Sequence, residues 1–304
     1  MPDRNHAPVL SLEDLGSANL AAVPLAVLGW PVAHSISPPM HNAVLQVFAE
    51  RDPGFADWHY GRFAVRPEQL PEALKALHKH TFRGINLTVP HKVQAVDLVR
   101  SIDPEARRMG AVNTLVYQKS GYKGYNTDGY GLSRAVRETL HRPLADADIL
   151  LLGAGGAARA AAVQCLQDGC RSLWIGNRTP ARLKGLVEAI GAEEDARVHC
   201  FNLARPPAAL PRRGALIINA TALGLKPDDP QPLDLKRFAG DTVVYDMIYN
   251  PRETALMAQA RAQGMSAANG LSMLVYQGLR SLEIWSGQPV PADVMFAAAR
   301  KALA

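Results

Sequence analysis

An apolar run, Ile149-Leu150-Leu151-Leu152, leads directly into Gly153-Ala154-Gly155-Gly156-Ala157-Ala158 and then into Arg159-Ala160-Ala161-Ala162. That order places a G-x-G-x-x-A turn between a buried strand and a helix. Glycines there let the chain turn sharply and let a pyrophosphate approach the helix N-terminus, where unpaired N–H groups and the dipole favour an anion. A tight turn with close packing is the plain alternative. The next apolar segment ends in Ile175-Gly176-Asn177-Arg178-Thr179, where an NAD-binding fold usually offers an acid to the ribose 2′-hydroxyl. No acid stands there. Arg178, with Asn177, Thr179 and Arg182 beside it, offers donors suited to a 2′-phosphate, so the residues favour NADP over NAD. A solvated Arg178 at a strand end is the competing reading.

A second group lies earlier in the chain. In Gly84-Ile85-Asn86-Leu87-Thr88-Val89-Pro90 the period of two sends Ile85, Leu87 and Val89 to one face and Asn86 and Thr88 to the other. A buried strand spends positions on polar groups only where they meet partners. His91 and Lys92 follow at its carboxyl end, where open α/β sheets bind ligands, although Lys92 taken alone is an ordinary surface lysine. His34-Ser35-Ile36-Ser37-Pro38 again sets two hydroxyls on one side of an extended segment. Ser37 also suits the N-cap of the following helix. His34 and His41 read as hydrogen-bonded or packed rather than catalytic. Asp128, in Gly124-Tyr125-Asn126-Thr127-Asp128-Gly129, begins a helix whose dipole favours its charge.

The elements that must hold these groups alternate short apolar runs with helical-period segments, the signature of α/β layers. Strands are expected at 25–29, 58–63, 85–89 and 113–117, with helices at 39–49, 67–79 and 92–100. After Arg142-Pro143, the runs 149–152, 173–175, 216–219 and 243–246 read as fully buried parallel strands of a doubly wound sheet. The Gly- and Asn-rich segment 121–131 reads as the junction between the halves. A last helix carries its stripe on Leu271, Leu274, Val275, Gly278, Leu279 and Leu282. Three hundred and four residues suffice for about two domains. The net charge of +5 is spread without a basic block, which suits small anions and offers no aromatic-basic patch for nucleic acid. Three unpaired cysteines and no His/Cys cluster argue against a disulfide framework or a metal site and for a reducing, cytoplasmic setting. The longest apolar stretch, 20–33, is broken by Pro24, Gly29 and Pro31, so no membrane span is expected. The first twenty or so residues read as a loose extension without the features of a secretion signal.

Taken together, the strings GWPVAHSISPPMHN, GINLTVPHK, GAVNT, GYNTDGYG, GAGGAAR, NRT, NAT, DMIYNP and NGLSMLVYQG resemble the shikimate dehydrogenase family, in that family's order and across nearly the whole chain from Leu25. The resemblance implies a two-domain α/β protein: an extension at 1–21, a substrate-binding domain with a mainly parallel sheet at 22–127, a Rossmann-like NADP-binding domain at 128–268, and C-terminal helices at 269–304 packing back on the first domain. It implies NADPH-dependent reduction of 3-dehydroshikimate to shikimate, a small-molecule partner, and a monomer or homodimer. Carried onto this chain, the catalytic pair falls on Lys92 and Asp128. Substrate contacts fall on Ser35, Ser37, Asn86, Thr88, Asn113, Tyr249 and Gln277, besides that pair. Cofactor contacts fall on Gly153, Ala154, Gly155, Gly156 and Ala157, on Asn177, Arg178, Thr179 and Arg182, and on Thr221, Met247 and Gly270. Ser272 stands where the family's string has glycine, and Ala222-Leu223 replaces a more polar pair; both bear on the nicotinamide fit.

Hydride transfer to a ketone builds negative charge on its oxygen, and a lysine ammonium supplies both a proton and a cation there. Two rivals remain: a quinate or quinate/shikimate dehydrogenase using NAD, which the Arg178 region disfavours, and a catalytically silent NADP-binding regulator, in which Lys92 or Asp128 would be missing.

Overall fold

The structure is a computed structural model, described here for residues 8–16 and 23–304. It divides into two compact units, one made of residues up to Thr127 together with Gln277–Ala304, the other of Asp128–Tyr276.

The first unit contains β1 (Val9–Leu10), β2 (Val23–Gly29), α1 (Ser37–Arg51), β3 (Trp58–Ala64), α2 (Leu70–Lys79), β4 (Gly84–Leu87), α3 (His91–Gln94), β5 (Ser101–Ile102), α4 (Pro104–Met109), β6 (Thr114–Gln118) and β7 (Gly121–Tyr125). Its strands form one sheet in the order β1-β3-β2-β4-β6-β7-β5. The β1, β3, β2 and β4 neighbours run parallel, while β6 is antiparallel to both β4 and β7. The sheet is therefore mixed, and part of the segment expected to join the halves is the second strand of a hairpin. The alternation expected for β4 is present as far as Leu87: Ile85 and Leu87 join Leu28, Phe63, Leu70, Leu77 and Phe82 in a core on one face, leaving Asn86 on the other, whereas Val89, expected on the core face, is exposed beyond the end of the strand. Burial of these side chains, at roughly 1.5–3 kcal/mol each, fixes which face is free for chemistry.

Four expectations change here. Val9 and Leu10 pair with Arg62 and Phe63 of β3, and Leu15 is buried in the same core, so residues 8–16 of the supposed extension are part of the unit; residues 1–7 and 17–22 lie outside the described chain. The strand at 85–89 stops at Leu87, because Pro90 cannot extend it. The helix at 92–100 is one turn at His91–Gln94 followed by a 3-10 turn at Ala95–Asp97, and the chain then re-enters the sheet as β5. Ser37 is not an N-cap: it is the first residue of α1, Ile36 precedes it, and the Ser37 N–H donates to Ser35 Oγ at 3.3 Å.

The second unit contains α5 (Asp128–Leu140), β8 (Asp148–Leu152), α6 (Gly156–Gln167), β9 (Ser172–Asn177), α7 (Pro180–Ile190), β10 (Val198–Asn202), β11 (Leu216–Asn219), β12 (Val243–Asp246), α8 (Ala255–Ala262) and β13 (Ser266–Asn269). Its sheet, β10-β9-β8-β11-β12-β13, is parallel throughout. Chain order reverses between β8 and β11, which makes the carboxyl ends of these two strands the switch-point crevice where such sheets bind ligands. Leu150, Leu152, Ile217 and Val244 pack with Leu256 and Ala260 of α8. The two edge strands, β10 and β13, escaped the sequence reading because an edge strand carries a weaker apolar signal than a central one.

The chain ends in α9 (Leu271–Ser286) and α10 (Ala292–Ala302). The division between units falls inside α9, at Gln277 rather than at residue 269. From Gln277 onward the helix belongs to the first unit, where Trp285 Nε1 donates to the Leu115 carbonyl at 2.9 Å and Arg83 Nε donates to the Trp285 carbonyl.

Candidate active site

On the polar face of the first sheet the hydrogen bonds form one connected set. Asn86 Nδ2 donates to the Asn113 carbonyl and to the hydroxyls of Thr114 and Ser281, all at 3.0–3.1 Å, and Asn86 Oδ1 accepts from the Tyr60 phenol at 2.7 Å. Tyr60 is fully buried and also hydrogen-bonded to the Ser37 side chain; burial pushes its ionisation well above the ordinary tyrosine range. Asn113 continues the set: its Nδ2 donates to Thr127 Oγ1 at 3.0 Å and to Gln277 Oε1 at 3.3 Å, and its Oδ1 accepts the Thr127 N–H at 2.8 Å. Each of Ser37, Asn86, Asn113, Thr114, Thr127 and Ser281 is buried. Buried polar groups of this kind are tolerated because each meets a partner, and their mutual bonds hold every member in one orientation.

Other residues singled out from the sequence are held by backbone bonds nearby. Thr88, just past β4, is held by its N–H on the Leu28 carbonyl, and its own carbonyl accepts the His91 N–H. Lys92 is half-buried on α3, and its carbonyl accepts the Val112 N–H at 2.8 Å. The pair Val112-Asn113 therefore anchors both Lys92 and Thr127, after which Asp128 opens α5 with its side chain buried. Gln277 is half-buried and bonded to Asn113, in line with its place at the edge of the α9 stripe. His41 is packed rather than hydrogen-bonded: its ring stacks on Tyr60 with centroids 4.2 Å apart, both ring nitrogens lack a hydrogen-bond partner, and burial lowers its pKa to about 3. It is a neutral spacer, not a proton carrier.

In the second unit the glycine turn leaves the carboxyl end of β8. Gly153 has φ +118°, and a Cβ there would lie 2.9 Å from the Ala220 carbonyl oxygen. Gly155 and Gly156, at the start of α6, face open space: a Cβ on either would meet nothing within 4 Å. The fold itself needs glycine at the first position only. The open glycines leave exposed backbone N–H groups at the N-terminus of a twelve-residue helix, a cradle that an incoming pyrophosphate fits and a side chain would fill. Ala154 and Ala157 flank this cradle. Asn177, at the end of β9, donates to the Thr179 carbonyl, and Arg178, Thr179 and Arg182 are exposed beside it, free to meet a 2′-phosphate.

Beyond β11 and β12 the structure adds residues the sequence reading missed. Buried Asn219 donates to Asp246 Oδ1 at 3.0 Å and accepts the Thr221 N–H and hydroxyl. Asp246 also accepts from Thr254 Oγ1 and the Ile248 N–H, and burial raises its pKa. These bonds hold the Thr221 turn and the chain from Met247 to Tyr249; burial also raises the Tyr249 phenol. Gly270 packs against the Met247 carbonyl so closely that a Cβ would sit 2.0 Å from its oxygen. The two departures noted above find partners. Ser272 Oγ lies 2.9 Å from the Tyr245 hydroxyl, and Leu223 serves through its backbone, whose N–H and carbonyl bond Thr221 and Asn219. Partly apolar strand ends next to Asn-Ala-Thr and Asp-Met were the signal available for Asn219 and Asp246.

Among the described residues no cluster of three or more His, Cys, Asp or Glu could hold a metal, and no helix is long and apolar enough to cross a membrane.

The chain is similar to known proteins in both units. Residues 27–115 match the shikimate dehydrogenase substrate binding domain, 135–222 the shikimate / quinate 5-dehydrogenase family, and 270–300 the shikimate 5'-dehydrogenase C-terminal domain. The shikimate dehydrogenase (NADP(+)) of Geobacter metallireducens is 41% identical over 277 residues, covering 89% of this chain and 93% of that protein. The protein of the same name from Moorella thermoacetica is 41% identical over 282 residues, covering 92% and 93%. The crystal structure of shikimate 5-dehydrogenase from Thermus thermophilus, in complex with NADP(H) and shikimate, superposes with a TM-score of 0.80 at 35% identity, covering 92% of this chain and 99% of that one. With relatives 41% identical that cover 89% and 92% of it, the chain belongs to the shikimate dehydrogenase family.

Proposed function

We propose that this enzyme catalyses the reversible, NADPH-dependent reduction of the 3-keto group of 3-dehydroshikimate to shikimate, with Lys92 and Asp128 as its catalytic pair. The reading is supported by one observation: Ser35, Ser37, Asn86, Asn113 and Gln277 belong to a single hydrogen-bonded set, through Tyr60. A polyhydroxylated ring acid needs that kind of surface, with many donors and acceptors at fixed spacing.

In this reading Ser35 and Ser37 take the substrate carboxylate, while Asn86, Thr88, Asn113 and Gln277 take the ring hydroxyls, with Tyr249 beside them. The bound nicotinamide supplies the hydride to the ketone carbon. Lys92 donates a proton to the ketone oxygen as it gains charge, so carbon receives the hydride, oxygen the proton, and the keto group becomes a neutral hydroxyl while the carboxylate is unchanged. Asp128 orients Lys92 and accepts from a neighbouring hydroxyl. In the reverse direction the pair takes the proton back. Gly153, Gly155, Gly156 and Ala157 present the turn to the pyrophosphate, Ala154 lines it, and Asn177, Arg178, Thr179 and Arg182 select the 2′-phosphate. Thr221, Met247 and Gly270 would hold the nicotinamide.

Initial rates with shikimate and with quinate, each with NADP and with NAD, test this reading. Shikimate with NADP is expected to give the highest kcat/KM of the four. A higher value for quinate with NAD overturns the assignment in favour of a quinate dehydrogenase, and no turnover in any combination makes the chain a silent NADP-binding protein.

A further inference from the structure

Arg62 is a buried cation with no acid beside it among the described residues. It sits on β3 between Val9 of β1 and Val27 of β2, two residues from Tyr60 and therefore on the same face of the sheet. Only 8% of it is exposed. Its guanidinium Nη1 donates to the Ala33 carbonyl, its Nε is buried without a hydrogen-bond partner, and among the described residues it makes no ion pair. Desolvation alone acts on its ionisation and disfavours the charge.

Such a group is costly. A guanidinium stays protonated in proteins, and a charge taken from water without a counter-ion loses several kcal/mol of solvation. The fold bonds it to the Ala33 carbonyl, two residues before Ser35; in the segment that follows, the Ser35 N–H donates to the Val32 carbonyl, the Ser37 N–H to Ser35 Oγ, and the Ser37 side chain bonds Tyr60. Two serine hydroxyls orient a carboxylate but bring no charge. A cation bonded to the carbonyl that opens their segment supplies one, and a charge shielded from water is screened less than an exposed one.

We infer that Arg62 is the charge-selecting residue of the substrate site: through the Ala33–Ser37 turn it makes the two serine hydroxyls specific for an anionic carboxylate over a neutral ester or amide of the same ring. The inference rests on the proposed placement of the carboxylate at Ser35 and Ser37. It gives Arg62 a positioning role, distinct from proton transfer, and accounts for why the unit keeps a buried charge with no ion pair among the described residues.

The test separates charge from tethering. Arg62→Gln retains a side-chain N–H donor for the Ala33 carbonyl but no charge, and Arg62→Lys retains the charge. For parent and variants, the KM of shikimate and the Ki of its neutral methyl ester are measured with NADP, alongside NADPH affinity and thermal melting. Arg62→Gln is expected to raise shikimate KM about tenfold, or roughly 1.4 kcal/mol, with kcat, ester Ki and NADPH affinity within about twofold. Arg62→Lys should recover most of the loss. Equal factors for acid and ester, or a glutamine variant that binds shikimate as the parent does, overturn the inference and leave Arg62 as a tether for the turn. If the glutamine variant does not fold, Arg62→Met carries the same acid-to-ester comparison. A parent inactive on shikimate refutes the proposed function instead, so the two failures are distinguishable.

Discussion

Asn86, Asn113, Thr114, Thr127 and Ser281 are buried and bonded to one another, whereas Gly155, Gly156, Arg178, Thr179 and Arg182 stand exposed on the other unit. In the proposed function the two sets serve different ligands, and the contrast follows from that. A small rigid ring acid offers little surface, so its discrimination depends on donors and acceptors already oriented, since each unpaired buried polar group costs about 1–3 kcal/mol. A dinucleotide is long and charged; bare backbone N–H groups and a few surface cations suffice for its phosphates. The first region therefore pays in buried polar groups for specificity, and the second keeps its fold independent of its ligand contacts.

The largest effect expected from this division is on Lys92. Lys92→Ala should lower kcat by about 10²–10⁴, the usual loss of one general acid, while NADPH affinity stays within about twofold. A kcat close to that of the parent sinks the proton-donor assignment, and a parallel loss of NADPH affinity breaks the separation between the regions.

Arg178 is the converse case. Arg178→Ala should weaken NADPH by roughly 10- to 150-fold, the span of one charge-assisted hydrogen bond, leave NADH and shikimate nearly unchanged, and flatten the salt dependence of NADPH binding. Equal losses for both nucleotides would assign Arg178 to the adenine or to the fold, and 2′-phosphate selection would then rest on Arg182. The smallest effect sharpens the comparison within one turn. Gly155→Val, pointing into open space, should leave the melting temperature unchanged and raise NADPH KM by about tenfold. Gly153→Ala, at φ +118° and against the Ala220 carbonyl, should instead lower stability by about 1–3 kcal/mol. A drop in melting temperature at Gly155 would show that this glycine, too, serves the fold.

Much of this was legible from residue order. The glycine turn, the polar alternation of Asn86 and Thr88, and the central strands β8, β11 and β12 are local patterns, and the family resemblance drawn from the strings is confirmed. The N-terminal segment misled because Val9 and Leu10 are too short a run to signal a strand; pairing with β3 makes them one. The helix expected at 92–100 misled in the same way, since its periodicity does not reveal that β5 must return to β7.

What the sequence determined by itself is therefore the chemistry of short segments: which strand ends carry hydroxyls, a lysine or glycines, and that no acid follows β9. Local φ/ψ limits and side-chain periodicity act over a few residues and are written in their order. Only the tertiary structure decided that Asn86 bonds Ser281, 195 positions away, and Asn113 bonds Gln277, 164 away. It also decided that Tyr60 links Ser37 to Asn86 and that Arg62 is buried on the Ala33 carbonyl with no ion pair among the described residues. Those facts depend on which faces of the sheet are covered by α1 and α9, and burial, which sets the cost of every unpaired polar group, exists only once the core has closed.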